Sequence, residues 1–181
     1  MSRIGRLPVE IPAGITVKVD EHNNVVVSNG KATITQPVNK CITVEVKDDK
    51  VVCTRSSDEN KVKAMHCLYR TLIRNAVEGL TKGFKKTLVI NGVGAKVQKV
   101  GNKVVMNINF SHPVEVTEVE GVTLNCPSAT EIEVSGYSKE AVGAMAAKIR
   151  AIKPVEPYHG YGIRYSDEVV ILKQGKKTGK K

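Results

Sequence analysis

The sequence predicts an α+β protein built from two similar domains, each an antiparallel sheet packed on one helix, with a basic C-terminal extension. Three observations carry this. Short β-branched runs broken by Asn, Gly and Asp recur along the chain, the mark of antiparallel strands. Twice the apolar period changes from two to between three and four, as on a helix with one buried face. A shift of 80 residues lays the two halves on one another: Ile42-Thr43-Val44 falls on Val122-Thr123-Leu124, and Val62, Ala64, Met65 and Arg70 fall on Val142, Ala144, Met145 and Arg150. Such self-similarity on equivalent elements points to an ancient duplication.

The elements follow in order. Strands are expected at 15–19, 25–27, 32–35, 42–46 and 51–54, with turns at 21–24 and at Asp48-Asp49. A helix follows, with Val62, Met65, Tyr69, Leu72, Ile73, Ala76 and Leu80 inward and Lys63, Arg70 and Arg74 facing solvent. Ser56 with Glu59 three residues on fits a capping box, and Gly79 a helix stop. The second half repeats the scheme with strands at 87–91, 95–100, 104–110, 114–119, 122–126 and 131–134. Its helix follows Ser138, turns Val142, Met145, Ile149 and Ile152 inward, and ends before Pro154. The boundary falls near Gly79–Gly83, giving domains 1–82 and 83–172 and a basic tail 173–181.

Composition narrows the function. Of 181 residues, 41% are hydrophobic and 25% charged, enough apolar material for a packed core. The longest apolar run, 141–147, is far short of the roughly 18 residues of a membrane span, so no membrane partner is expected. The N-terminus lacks the apolar stretch of a secretory signal, and a cytosolic protein is expected. Cys41, Cys53, Cys67 and Cys126 form no Cys-x-x-Cys pair and read as small buried hydrophobes in a reducing compartment.

The net charge of +10 is unevenly placed. Residues 1–60 carry 8 basic and 8 acidic side chains, whereas 61–86 carry 7 and 1, and 148–181 carry 9 and 3. Clustered excess of this kind suits a polyanion, and nucleic acid stands ahead of a merely soluble basic surface.

The richest constellation is Tyr158–Tyr165. Three of the five tyrosines lie there, alternating with Gly160 and Gly162 beside His159 and Arg164. Glycine lets backbone approach phosphate, tyrosine stacks on unpaired bases, and arginine forks onto phosphate oxygens. The competing reading is a turn whose tyrosines pack on the sheet, with Tyr165 in the core. The tail lysines Lys173, Lys176, Lys177, Lys180 and Lys181 would neutralise phosphates without reading sequence, and the tail is expected to be disordered when free. His66-Cys67 is read as a surface histidine beside a buried cysteine, because adjacent helical residues do not face each other and no orienting group is evident. The histidines have no metal-ligand spacing, Gly92-Val93-Gly94 lacks the third glycine of a dinucleotide fingerprint, and no Gly-x-x-Gly of a KH domain occurs.

Specific landmarks complete the reading. They are Ser2-Arg3-Ile4-Gly5 with Pro8, Ile11-Pro12-Ala13-Gly14, Gly83-Phe84, Leu88 to Gly94, Phe110-Ser111-His112-Pro113-Val114, and Glu156-Pro157-Tyr158 through Gly160, Gly162-Ile163-Arg164-Tyr165 and Asp167-Glu168-Val169. In order and spacing the chain resembles the bacterial-type family of large-subunit ribosomal protein six over essentially its whole length. The resemblance implies two related α+β domains and a structural role without catalysis, cofactor, metal or small-molecule substrate. It implies binding to 23S rRNA, chiefly through the second domain, near the stalk base and the sarcin–ricin loop, with neighbouring large-subunit proteins as further partners. It carries RNA contact onto Lys153, Tyr158, Gly160, Gly162, Arg164 and Tyr165, onto Ser111 and His112, and onto the tail lysines. His159 and Tyr161 stand where the family usually has lysines, and Pro154-Val155 where it has a basic residue before proline. Stacking by His159 and Tyr161 would replace phosphate contacts there. The alternative is a free RNA-binding regulatory protein using the same basic surface.

Overall fold

The computed structural model describes residues 4–176. Of these, residues 4–83 with Tyr137–Lys139 form one compact unit, and Phe84–Gly136 with residues 140–176 form a second.

The first unit runs β1 (Val9–Glu10), β2 (Thr16–Val19), β3 (Asn24–Ser28), β4 (Thr33–Pro37), β5 (Ile42–Lys47), β6 (Lys50–Arg55) and helix α1 (Asn60–Thr81). β2, β3 and β4 form an antiparallel meander, and β1, β6 and β5 a second sheet in that order. The hairpin between β5 and β6 turns at Asp48 and Asp49, whose φ values of 46° and 58° are those of a type I′ turn. Val25 and Val27 of β3 and Val51 and Cys53 of β6 share one core with Val62, Ile73, Ala76, Val77 and Leu80 of α1.

The second unit repeats this order: β7 (Phe84–Asn91), β8 (Lys96–Val100), β9 (Lys103–Asn107), β10 (Val114–Thr117), β11 (Val122–Ser128), β12 (Glu131–Gly136) and α2 (Lys139–Ile152). β8–β10 form the meander, and β7 pairs with β12 as β1 pairs with β6. Ile42 opens β5 as Val122 opens β11, and both are buried. The duplicated α+β architecture expected from the shift of 80 is thus present. Among the described residues one element has no counterpart in the first unit: β13 (Gly162–Tyr165) adds to the free edge of β7, giving the order β11-β12-β7-β13. Val142, Met145, Ala146 and Ile149 of α2 close the core under these sheets. Ile152 is only half-buried, and Ala146 is the fourth buried position of the helix.

Helix α1 departs from expectation in four ways. It starts later, with Glu59 at the N-cap and no side-chain cap, while Asp58, beside the expected cap, is paired with Arg55 instead. It passes through a buried Gly79 and stops at Gly83, whose φ is 72° and whose N–H donates to the Gly79 carbonyl at 3.0 Å, an αL stop. Arg70 does not face solvent: it is 7% exposed and donates through Nε to the Leu7 carbonyl at 3.0 Å and through Nη2 to that of Pro8. His66 is 3% exposed, its Nε2–H donating to the Cys53 carbonyl at 2.8 Å, whereas Cys67 is half-buried, the reverse of the sequence expectation. Arg70 is met by carbonyls of the segment before β1 and His66 by one of β6, partners that periodicity cannot reveal. Gly5 lies against the His66 ring, where a Cβ would stand 2.7 Å from Nδ1. Of the cysteines only Cys53 is buried; the other three are half-buried, and none is in a disulfide.

Candidate nucleic-acid interface

The segment expected to touch RNA is a loop tied into the second unit at both ends. After α2 the chain leaves at Lys153, turns through Tyr158–Gly160 and returns as β13. The Ile163 N–H donates to the Lys153 carbonyl at 2.8 Å, and that of Glu156 to the Tyr161 carbonyl at 2.8 Å. From the end of β7 the Asn91 amide Nδ2 donates to the Gly160 carbonyl at 3.1 Å. Gly162 is what allows the closure: its φ is 139°, and a Cβ there would stand 2.6 Å from the Pro154 carbonyl oxygen.

The loop separates the expected residues into two kinds. Tyr158, His159 and Tyr161 are exposed, at the tip. The His159 and Tyr161 rings stack at 5.5 Å and 10°, presenting a flat aromatic face, with His159 Nδ1 3.3 Å from a Glu156 carboxylate oxygen. Ser111 and His112 are exposed as well, His112 stacked on Phe110. Lys173 and Lys176 are exposed; Lys177, Lys180 and Lys181 lie outside the described residues.

The remaining residues shape the loop. Gly160 and Gly162 are buried and contribute backbone geometry. The Lys153 ammonium donates to the Ile108 carbonyl and sits 5.3 Å over the Phe110 ring. Arg164 donates through Nη1 to the Glu168 carbonyl at 3.0 Å. Tyr165 is half-buried against the core, with Arg150 and Lys86 over its ring at 5.6 and 5.5 Å. It takes the core-packed place that was the competing reading of the tyrosine cluster.

Sequence reasoning missed the hub of this arrangement. Glu168 takes a two-pronged contact from the Arg150 guanidinium, with Nε to Oε2 at 2.9 Å, and accepts the Tyr165 N–H at 3.2 Å. The duplication had aligned Arg150 with Arg70, but nothing in the pattern supplies its partner 18 residues away. The Arg150 hydrogen bonds hold the Glu168 carboxyl below its ordinary value of 4.5, aided by the Tyr165 N–H. A depressed folded value means stability that is present above pH 4.5 and lost as pH falls through the folded value. The Leu124 N–H and Lys99 depress Glu118 in the same sense. Glu168→Gln should therefore cost about 1–2 kcal/mol at pH 7 and show a shallower loss of stability between pH 5 and 3 than wild type, as checked by urea denaturation across that range.

Much of the basic excess is tied up within the fold. Arg70 is buried, Arg74 is paired with Glu78, Lys85 with Glu133 and Lys86 with Asp167. Exposed charge outside these pairs lies on Lys61, Lys82, Lys96 and Lys148 among others, and on Lys173 and Lys176. No group of three or more metal-ligating side chains and no helix fit to cross a membrane occurs among the described residues. Cys53 is a poor nucleophile, because burial pushes its thiol up to about 11.

The structure is thus two α+β units of one topology, the second bearing an added strand, an exposed aromatic tip and the exposed Lys173 and Lys176. The family model described as Ribosomal protein L6 matches residues 11–83 and 91–166. The chain is 49% identical over 181 residues, all of both chains, to the large ribosomal subunit protein uL6 of Clostridium kluyveri. It is 49% identical over 180 residues to that of Clostridium acetobutylicum, and 46% identical over 180 residues to that of Alkaliphilus oremlandii, covering 99% of this chain and all of each relative. The chain belongs to the ribosomal protein L6 family, whose members are structural components of the ribosome and not enzymes.

Proposed function

We propose that this protein is a structural component of the large ribosomal subunit in the cytoplasm, where it binds 23S rRNA near the stalk base and the translation-factor docking region. The observation that carries the reading is the constrained tip of the second unit: exposed Tyr158, His159 and Tyr161 on a loop held by Asn91 and Gly162. Stacking platforms on a fixed backbone recognise folded RNA with splayed bases. Residues 83–172 are the main RNA-binding domain, and Ser111 and His112 extend its contact surface. Lys153, Gly160, Gly162, Arg164 and Tyr165 act by holding the loop in shape. The tail 173–181 supplies salt-sensitive affinity through phosphates. The first unit, near neutral over residues 1–60, is left to meet neighbouring proteins.

Sedimentation of lysate through sucrose gradients at low and high salt, with quantitative mass spectrometry of each fraction, tests this. Near-stoichiometric co-migration with the large subunit that survives the high-salt wash is expected. A protein found at the top of the gradient, bound to messages, would instead be a free RNA-binding regulator.

A further inference from the structure

Beside the aromatic tip the second unit contains a cavity of about 240 Å³. Among its lining residues Ile90 and Ile108 are buried and form an apolar floor, while Val93, Asn109 and Tyr161 are exposed and mark its mouth. Pockets that enclose drug-sized ligands run to roughly 300–1,000 Å³, so this one suits a single flat ring system. Three features select the ring. Tyr161, stacked on His159, stands at the mouth and offers a flat face to a second ring. Asn109 is exposed at a φ of 60°, and its amide makes no hydrogen bond among the described residues, so both its donor and its acceptor are available to a base edge. Lys153 brings a cation to the lining, its ammonium bonded to the Ile108 carbonyl, against the one carboxylate there, Glu156.

From these we infer that the cavity takes one unpaired nucleobase, extruded from the RNA and stacked at Tyr161, with Asn109 hydrogen-bonding its edge. The inference rests on the RNA reading above and deepens it. Apolar floor, aromatic lid and one uncommitted amide make up the chemistry by which single-stranded bases are held. An apolar side chain of a protein neighbour would use the floor and leave the amide unpaired, which costs free energy on burial.

The test uses the full chain and a 23S rRNA transcript, read by base-specific chemical modification and by filter binding. Two variants alter the cavity without touching the tip. Ala95→Leu extends a side chain from the lining into the space, and Asn109→Gly removes the amide while keeping a residue at ease at positive φ. Wild type should protect one unpaired base, and each variant should bind about ten-fold more weakly and leave that base reactive, with the phosphate footprint elsewhere unchanged. If Ala95→Leu does not fold, Asn109→Gly at its exposed position carries the same comparison. Equal affinity with the same base still protected in the variants overturns the inference, as does a wild-type complex in which no unpaired base is protected. A wild-type chain that binds no 23S rRNA overturns the RNA reading itself, and this inference with it.

Discussion

Replacing Gly162 by alanine should lower the stability of the second unit by about 2–4 kcal/mol, the sum of backbone strain at positive φ and overpacking against rigid neighbours. The added Cβ would stand 2.6 Å from the Pro154 oxygen, 2.8 Å from Val155 Cα and 2.9 Å from the Pro154 carbonyl carbon. All three are backbone atoms, so no side chain can rotate away. Relief requires the strand to leave, and β13 carries Ile163, which is fully buried beneath the sheet. The loop tip moves with it, so RNA affinity should fall together with stability. Gly160→Ala is the matched control. Its φ of 73° is also left-handed, but the nearest atom to a Cβ there is the far end of Leu172, at 3.4 Å. That substitution should cost about 1 kcal/mol. Thermal denaturation with hydrogen exchange at the amides shared by β7 and β13 measures both. A Gly162→Ala protein as stable as the Gly160 variant would show that the loop closes some other way.

Removing residues 173–181 should change the salt dependence of RNA binding more than any single side chain does. The tail carries five lysines and no acid. If each meets a phosphate, the slope of log affinity against log salt falls by roughly 3–4. Between roughly 50 and 200 mM salt the truncated chain should then lose about a hundred-fold less affinity than the full chain. Changing the five lysines to glutamine separates charge from the tether that the Lys173 N–H makes to the Pro157 carbonyl at 2.8 Å. Filter binding to a 23S rRNA transcript across a salt series gives both slopes, and unchanged slopes would remove the tail from the interface.

The parts legible in the sequence are those with local causes. The valines of β3, the paired aspartates between β5 and β6, and the inward stripe of α2 each follow from side-chain period or turn chemistry within a few residues. The parts that were not legible have distant causes. β13 is a strand only because β7, some 70 residues earlier, leaves an edge for it; locally, glycines and tyrosines read as a turn. Arg70 and His66 are buried because the carbonyls of Leu7, Pro8 and Cys53 meet them, and a period-based reading sends a charged side chain outward by default. The same holds in the candidate site. Composition singles out the tyrosine cluster and leaves Tyr165 open between RNA contact and core, and geometry places it against the core and the other two at an exposed tip. Arg150, Glu168 and Asn91, which hold that geometry, carry no motif of their own.

The claim that the second unit's tip and tail meet 23S rRNA is tested most directly by ultraviolet crosslinking of purified large subunits, with the crosslinked peptides and nucleotides identified by mass spectrometry. The account predicts crosslinks at Tyr158, His159 and Tyr161 and along the lysine tail, converging on one region of 23S rRNA. Crosslinks confined to the first unit, with the 158–161 peptide recovered unmodified, would contradict it.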